Sequence, residues 1–223
     1  MCGRFSQSKS AETLSSAFQL AVPGWTPRYN IAPTQAIPTV SLMSAEPERQ
    51  FRLLRWGLVP GWAKDLSMGA KLINARSETV AEKPSFRSAF KQRRCLILAD
   101  GFYEWQRSQG KKQPYYIQMC EGQPFAFAGL WERWQKGDSP IESCTILTTQ
   151  ANELMQPIHD RMPVILSPQD YDLWLDPTTP AEKLHSLLLP YDAQEMQRYP
   201  VSSIVNSAAN ENPDCVKPFI PTD

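Results

Sequence analysis

The spacing of apolar and polar residues changes along the chain. Between residues 10 and 21, Leu14 and Phe18 lie one turn apart among polar neighbours. Ser10 stands ahead of them as an N-cap, and Glu12 suits the positive end of the helix dipole. This predicts a short amphipathic helix. Pro23, Gly24 and Pro27 then break the chain, and residues 28–33 read as a loop. From residue 37 the pattern shifts to short runs rich in branched and aromatic side chains, at 37–43, 51–59, 71–74, 95–100, 115–120, 125–131, 143–149 and 162–166. Each has strand length and is bounded by Pro, Gly or charged clusters. Phe86 and Phe90, one turn apart, mark a short helix over 86–94. Two later helices carry start signals. Ser167-Pro168-Gln169-Asp170 offers a cap, a proline in the first turn and an acid, and Thr179-Pro180-Ala181-Glu182 repeats that logic ahead of Leu184, Leu187 and Leu188.

Strands dominate the first two thirds, and helices punctuate them without alternating. The fold class expected is α+β, with a strand-rich, barrel-like β-sheet core and short peripheral helices. No repeat or low-complexity linker divides residues 1–223, so a single domain is expected. The polar, proline-containing stretch 206–223 is expected to be a partly mobile tail.

Composition narrows the function. Lys+Arg and Asp+Glu both number 23, so any anion-binding surface must be local. The 20 prolines favour turns and short elements. The 5 cysteines are odd in number and include no C-x-x-C, which speaks against a disulfide framework and against zinc. No basic-then-apolar leader and no apolar run of membrane-spanning length occur. A cytoplasmic protein in a reducing compartment is expected, without metal or other cofactor, without membrane association, and monomeric.

Cys2 is the position with the most distinctive chemistry. Its small side chain allows removal of Met1, which would leave a free amine and a thiol on adjacent carbons. The amine condenses with an aldehyde to an imine, and the thiol then closes a five-membered thiazolidine. With an amine pKa near ~8 and a thiol near ~8.5, a useful fraction of each is reactive at neutral pH. Ring closure is intramolecular and gains from proximity. The alternative is a buried, inert cysteine.

Three further segments set polar residues between apolar ones: 72–79, with Asn74 and Arg76; 99–105, with Glu104 between aromatics; and 158–163, with His159, Asp160 and Arg161. Each also has an ordinary reading. Asn74 can end a strand, Arg76 can pair with Glu78, Glu104 can face solvent, His159 can be a neutral hydrogen-bonded ring, and Arg161 can pair with a nearby acid. The basic stretch 87–94 reads as a solvated helix face.

Taken in order, Cys2-Gly3-Arg4-Phe5, Arg28-Tyr29-Asn30-Ile31-Ala32-Pro33, Trp56-Gly57-Leu58-Val59-Pro60, Asn74-Ala75-Arg76-Ser77-Glu78-Thr79, Gly101-Phe102-Tyr103-Glu104-Trp105 and His159-Asp160-Arg161-Met162-Pro163 resemble the SRAP family (SOS response-associated peptidase, or abasic-site processing proteins). The resemblance implies a protein that senses abasic sites in single-stranded DNA and bonds to their C1′ aldehyde through Cys2. On this resemblance Cys2 is the nucleophile, and Asn74 hydrogen-bonds near its amine and the sugar. Glu104 and His159 move protons; aromatic neighbours would desolvate Glu104 and raise its pKa. Arg4, Arg76 and Arg161 face phosphates, Thr148 is a further phosphate contact, and Trp62 and Trp105 are stacking platforms. The protein would associate with the nucleoid when DNA is damaged. Two other classes stay open: a Cys2-dependent thiol peptidase limited to self-processing, and a noncovalent single-stranded DNA binder.

Overall fold

Branched and aromatic runs become strands here because they can be buried on both faces at once. The computed structural model describes residues 2–43, 46–108 and 110–219. The elements in order are β1 (Phe5–Gln7), α1 (Ala11–Phe18), β2 (Arg28–Ile31), β3 (Ala36–Met43), β4 (Glu46–Trp56), β5 (Asn74–Arg76), α2 (Arg87–Gln92), β6 (Arg94–Ala99), β7 (Gly101–Ser108), β8 (Lys111–Met119), β9 (Phe125–Trp134), β10 (Ile141–Gln150), β11 (Arg161–Pro163), β12 (Ile165–Leu166), α3 (Tyr171–Leu175), α4 (Ala181–Ser186) and β13 (Met196–Pro200). Short 3₁₀ turns join several of them.

The strands form two sheets. The first runs β13-β8-β7-β1-β2. The second runs β11-β10-β4-β3-β6-β9-β12, and an added β10–β9 pairing closes β10, β4, β3, β6 and β9 into a ring. The expected α+β class with a barrel-like core therefore holds. On β6, Cys95, Ile97 and Ala99 face one hydrophobic cluster, and Leu96 and Leu98 face another. β9 divides likewise, Phe125 and Phe127 to the first and Ala126 and Ala128 to the second. The first cluster joins the ring to the other sheet through Phe5, Ile31, Phe102, Ile117 and Met119. The second receives the helices through Leu14, Phe18, Phe90, Trp174 and Leu184. A strand buried on both faces has no polar face to show in its pattern.

Helix α1 starts as predicted: the Ser10 hydroxyl accepts from the Thr13 N–H, and Leu14 and Phe18 are buried. Several expectations need correction. Residues 28–31 are strand β2, paired with β1, because the Glu211 carboxylate accepts from the Tyr29 and Asn30 N–H groups while pairing with Arg28. Residues 66–71 form a 3₁₀ helix, and the strand begins only at Asn74. Ser167 and Thr179 do not cap with their side chains; the Thr179 hydroxyl turns back to the Leu173 carbonyl. Arg94, expected on a solvated face, is 2% exposed, and its guanidinium donates to the carbonyls of Phe90, Lys91, Trp174 and Asp176. Burial lowers its pKa to about 10, so it stays charged while tying α2 to α3. Residues 206–219 also make contacts with the rest of the chain. Cys215 is buried, Asn30 Nδ2 donates to the carbonyls of Ser207 and Asn210, and the Phe219 N–H donates to Pro200. Residues 220–223 lie outside the described residues.

Gly101 begins β7 where the sheet leaves no room for a side chain. A Cβ there would lie 2.1 Å from Cζ of Tyr116, whose hydroxyl is 2.7 Å from that of Ser6 in β1. Gly101→Ala is expected to destabilise the fold by about 1–3 kcal/mol through overpacking, read as a lower denaturant midpoint with an unchanged slope. An unchanged midpoint would contradict this packing.

Candidate functional site

Strand β1 is short, yet it lies between two partners. Phe5 pairs with Ile31 of β2 and with Phe102 of β7. The Phe5 ring also meets Trp56 and Phe127, at centroid distances of 5.2 and 5.8 Å. Cys2, three residues upstream, is thereby delivered into the first hydrophobic cluster. It is fully buried. Burial raises the thiol well above its usual pKa, and the nearby Glu104 carboxylate pushes the same way. Met1 lies outside the described residues.

Asn74 opens β5, which runs parallel to β10 with Asn74 beside Ile146. Its Nδ2 donates to the Cys2 carbonyl at 2.8 Å. Its Oδ1 is buried and has no hydrogen-bond partner among the described residues. An amide held by one end, with its acceptor unused, is suited to receive an N–H or O–H from a group arriving beside Cys2.

Glu104 comes from β7. Phe102 and Glu104 alternate onto the face that meets Cys2, whereas Tyr103 packs on the opposite face against Val201, Val205 and Cys215. Glu104 is 4% exposed, so it does not face solvent. It lines a cleft of about 700 Å³ together with Trp105, Arg107, Lys112, Ile158, His159 and Asn206. His159 sits in the turn before β11. Its Nδ1 accepts the Arg161 N–H at 3.0 Å, which in the neutral ring leaves the proton on Nε2. Asp160 Oδ1, 2.8 Å from the same Nδ1, is positioned to pair with the ring when it is protonated.

The residues expected to meet DNA divide into two groups. Arg76 is exposed at the end of β5, and Trp105 is half-buried in the cleft, its Nε1 donating to Asn206 Oδ1 at 2.7 Å. Arg4 lies over the Trp105 ring, 6.0 Å from its centroid, and donates to Asn30 Oδ1 and the Val205 carbonyl. Burial lowers its pKa from the usual value. The other group is less available. Thr148 is fully buried, its hydroxyl 3.5 Å from the Ala75 carbonyl, so it is not placed to touch a phosphate. Arg161 is occupied by a bidentate pair with Glu78, at 2.5 and 3.0 Å, and by the Thr148 carbonyl. That pair holds the Glu78 carboxyl below its usual pKa. Trp62 is 53% exposed but does not line the cleft. The cleft residues Arg107, Lys112, Ile158 and Asn206 went unnoticed in the sequence, although alternation along β7 puts Arg107 on the same face as Trp105.

Among the described residues no group of three or more His, Cys, Asp or Glu side chains is placed to hold a metal ion. No helix there is long and apolar enough to cross a membrane.

The chain is similar in sequence and in fold to known proteins. The family model described as SOS response associated peptidase (SRAP) matches residues 1–208. The abasic site processing protein YoqW of Bacillus subtilis is 46% identical over 224 residues, which cover 97% of this chain and 99% of that protein. The abasic site processing protein HMCES of Gallus gallus is 33% identical, over 98% of this chain and 78% of its own. A crystal structure of a protein from Bacteroides thetaiotaomicron superposes with a TM-score of 0.89 at 27% identity, covering 98% of this chain and all of that one. With the family model running from the first residue through the site and most of the remaining chain, the protein belongs to the SRAP family.

Proposed function

We propose that this protein handles abasic sites in single-stranded DNA by forming a covalent thiazolidine crosslink through Cys2 once Met1 has been removed. The observation that carries the reading is the meeting of Cys2 with the Asn74 amide and the buried Glu104 carboxylate beside a cleft that also holds His159. The names of the relatives supply the lesion; the residues supply the chemistry.

The open-chain abasic sugar carries an aldehyde at C1′. The Cys2 amine attacks that carbon, and the carbonyl oxygen takes up a proton to give a carbinolamine. Loss of water then leaves the imine. Departure of the hydroxyl needs a proton and the nitrogen must give one up, so an acid and a base are both useful; Glu104 and His159 fill these roles. Asn74 Oδ1 accepts from the amine or a sugar hydroxyl without exchanging a proton itself. The Cys2 sulfur next attacks C1′. A carbon–sulfur bond forms, the imine π pair moves to nitrogen, and the thiol proton ends there. Atoms balance without oxidant or metal. Ring closure consumes the imine whose β-elimination would cleave the strand, so the crosslink shields the lesion from lyase chemistry.

Burial of the thiol bears on this order of events. A cysteine held well above its usual pKa is protonated at neutral pH and is a poor first nucleophile. The amine therefore acts first.

Methionine-processed protein mixed with single-stranded DNA bearing one abasic site is expected to give a shifted band on a denaturing gel. Cys2→Ala and a form retaining Met1 should give none, and Cys2→Ser a weaker, less stable one. Equal bands from wild type and Cys2→Ala would discard the mechanism, and cleavage of a peptide in the absence of DNA would favour the thiol-peptidase reading. A second prediction concerns Arg161. Glu78→Gln removes its competing carboxylate, so noncovalent affinity for single-stranded DNA should rise several-fold at low salt and the dependence on salt should steepen. Weaker binding by this variant in a fluorescence-anisotropy titration would remove Arg161 from the DNA-facing set.

A further inference from the structure

We propose that Arg107 and Lys112, opposite one another next to the turn of the β7–β8 hairpin, form a phosphate-binding pair that holds the single strand on one side of the lesion. This rests on the function proposed above and assigns residues outside the motifs that support it.

The first support is register. Arg107 and Lys112 are direct cross-strand partners, two steps along from the pair Trp105 and Pro114. Directly opposed side chains in an antiparallel pair have Cβ atoms about 4.5–5.5 Å apart, and like charges so placed are destabilising. Both side chains are exposed, and neither forms an ion pair or hydrogen bond with any described residue. By contrast, Arg28, Arg49, Arg52, Arg93 and Arg161 each hold a carboxylate. A juxtaposition of cations that the fold leaves uncompensated is suited to an anion from outside, and one phosphate between the two would turn repulsion into two charge-assisted hydrogen bonds.

The second support is place. Both residues line the same cleft as Glu104, Trp105 and His159. Tyr103, Trp105 and Arg107 follow one another along one face of β7. Tyr103 lies under the C-terminal segment, Trp105 is tethered at its edge by Asn206, and Arg107 stands beyond that cover. A strand whose abasic sugar reaches Cys2 can lay a neighbouring base on Trp105 and pass its next phosphate to the pair. With zero net charge, local cations of this kind must supply the attraction.

The test compares processed wild type with Arg107→Gln/Lys112→Gln, using abasic oligonucleotides that are full-length or shortened on the 5′ or the 3′ side of the lesion. The double variant should reach the same adduct yield at saturating DNA. Its half-saturating DNA concentration should rise roughly ten-fold, as expected for losing charge-assisted contacts. Loss of this one phosphate contact should reduce the salt slope by about 0.7. Shortening one side should penalise wild type and not the variant. Thermal stability should be equal or higher, because the opposed charges are gone. Unchanged half-saturation and salt slope would overturn the proposal, as would a fall in both thermal stability and saturating yield, which would mark the pair as structural. Should wild type form no adduct at all, the function proposed above fails by itself. Anisotropy binding of an intact single strand by the same two proteins then still decides whether the pair holds phosphate.

Discussion

The site depends on the pinning of the amino end. Chain termini usually fray unless a strand or a helix ties them down. Here a three-residue strand is hydrogen-bonded on both edges, and Phe5 is clamped between Trp56 and Phe127. Beside it the Ser6 hydroxyl donates to Asp100, and the Asp100 carboxylate also receives the Ser8 N–H. With Phe5 fixed, Cys2 has little freedom, and its carbonyl meets the Asn74 amide. Under the proposed function, holding Cys2 in this way removes most of the orientational cost of the first step.

Strand β7 sorts the chemistry by the two-residue period of a strand. One face carries Phe102 and Glu104 toward Cys2. The other carries Tyr103, Trp105 and Arg107 toward the C-terminal segment, and Glu104, Trp105 and Arg107 all reach the cleft. Covalent chemistry needs a dry, fixed carboxylate, whereas backbone recognition needs accessible rings and cations. Under the proposed function, the alternation of side chains along β7 lets adjacent residues meet both needs. The C-terminal segment belongs to this arrangement: Asn206 orients Trp105, the Val205 carbonyl receives Arg4, and Glu211 holds β2 to which β1 is paired.

The fold class, α1 and most strands were legible because burial imposes a pattern of branched and aromatic residues on the chain. What escaped was fixed by contacts distant in sequence. Strand β2 looks like a loop until Glu211 caps its backbone, and Arg94 looks solvated until the carbonyls of α2 and α3 surround it. The polar segments around Asn74, Glu104 and His159 were visible as anomalies within apolar runs, and the resemblance gave them roles. Their neighbours were harder to place. Thr148 lies on a strand paired on both sides and has no access to solvent, and Arg161 has a carboxylate partner that spacing alone does not reveal. Arg107 and Lys112 carry no motif, and only the register of the hairpin brings them together.

The central claim is that the amino end of the chain supplies both the amine and the sulfur that bond to the sugar. Tandem mass spectrometry of the N-terminal peptide tests it most directly, after methionine-processed protein has reacted with abasic DNA and been treated with borohydride. A sugar remnant attached at Cys2, with no hydrogen gained on reduction, is the predicted result, because a thiazolidine has no carbon–nitrogen double bond left to reduce. A remnant on a lysine, or one at Cys2 that has taken up the reducing hydrogens of a trapped imine, would contradict the account.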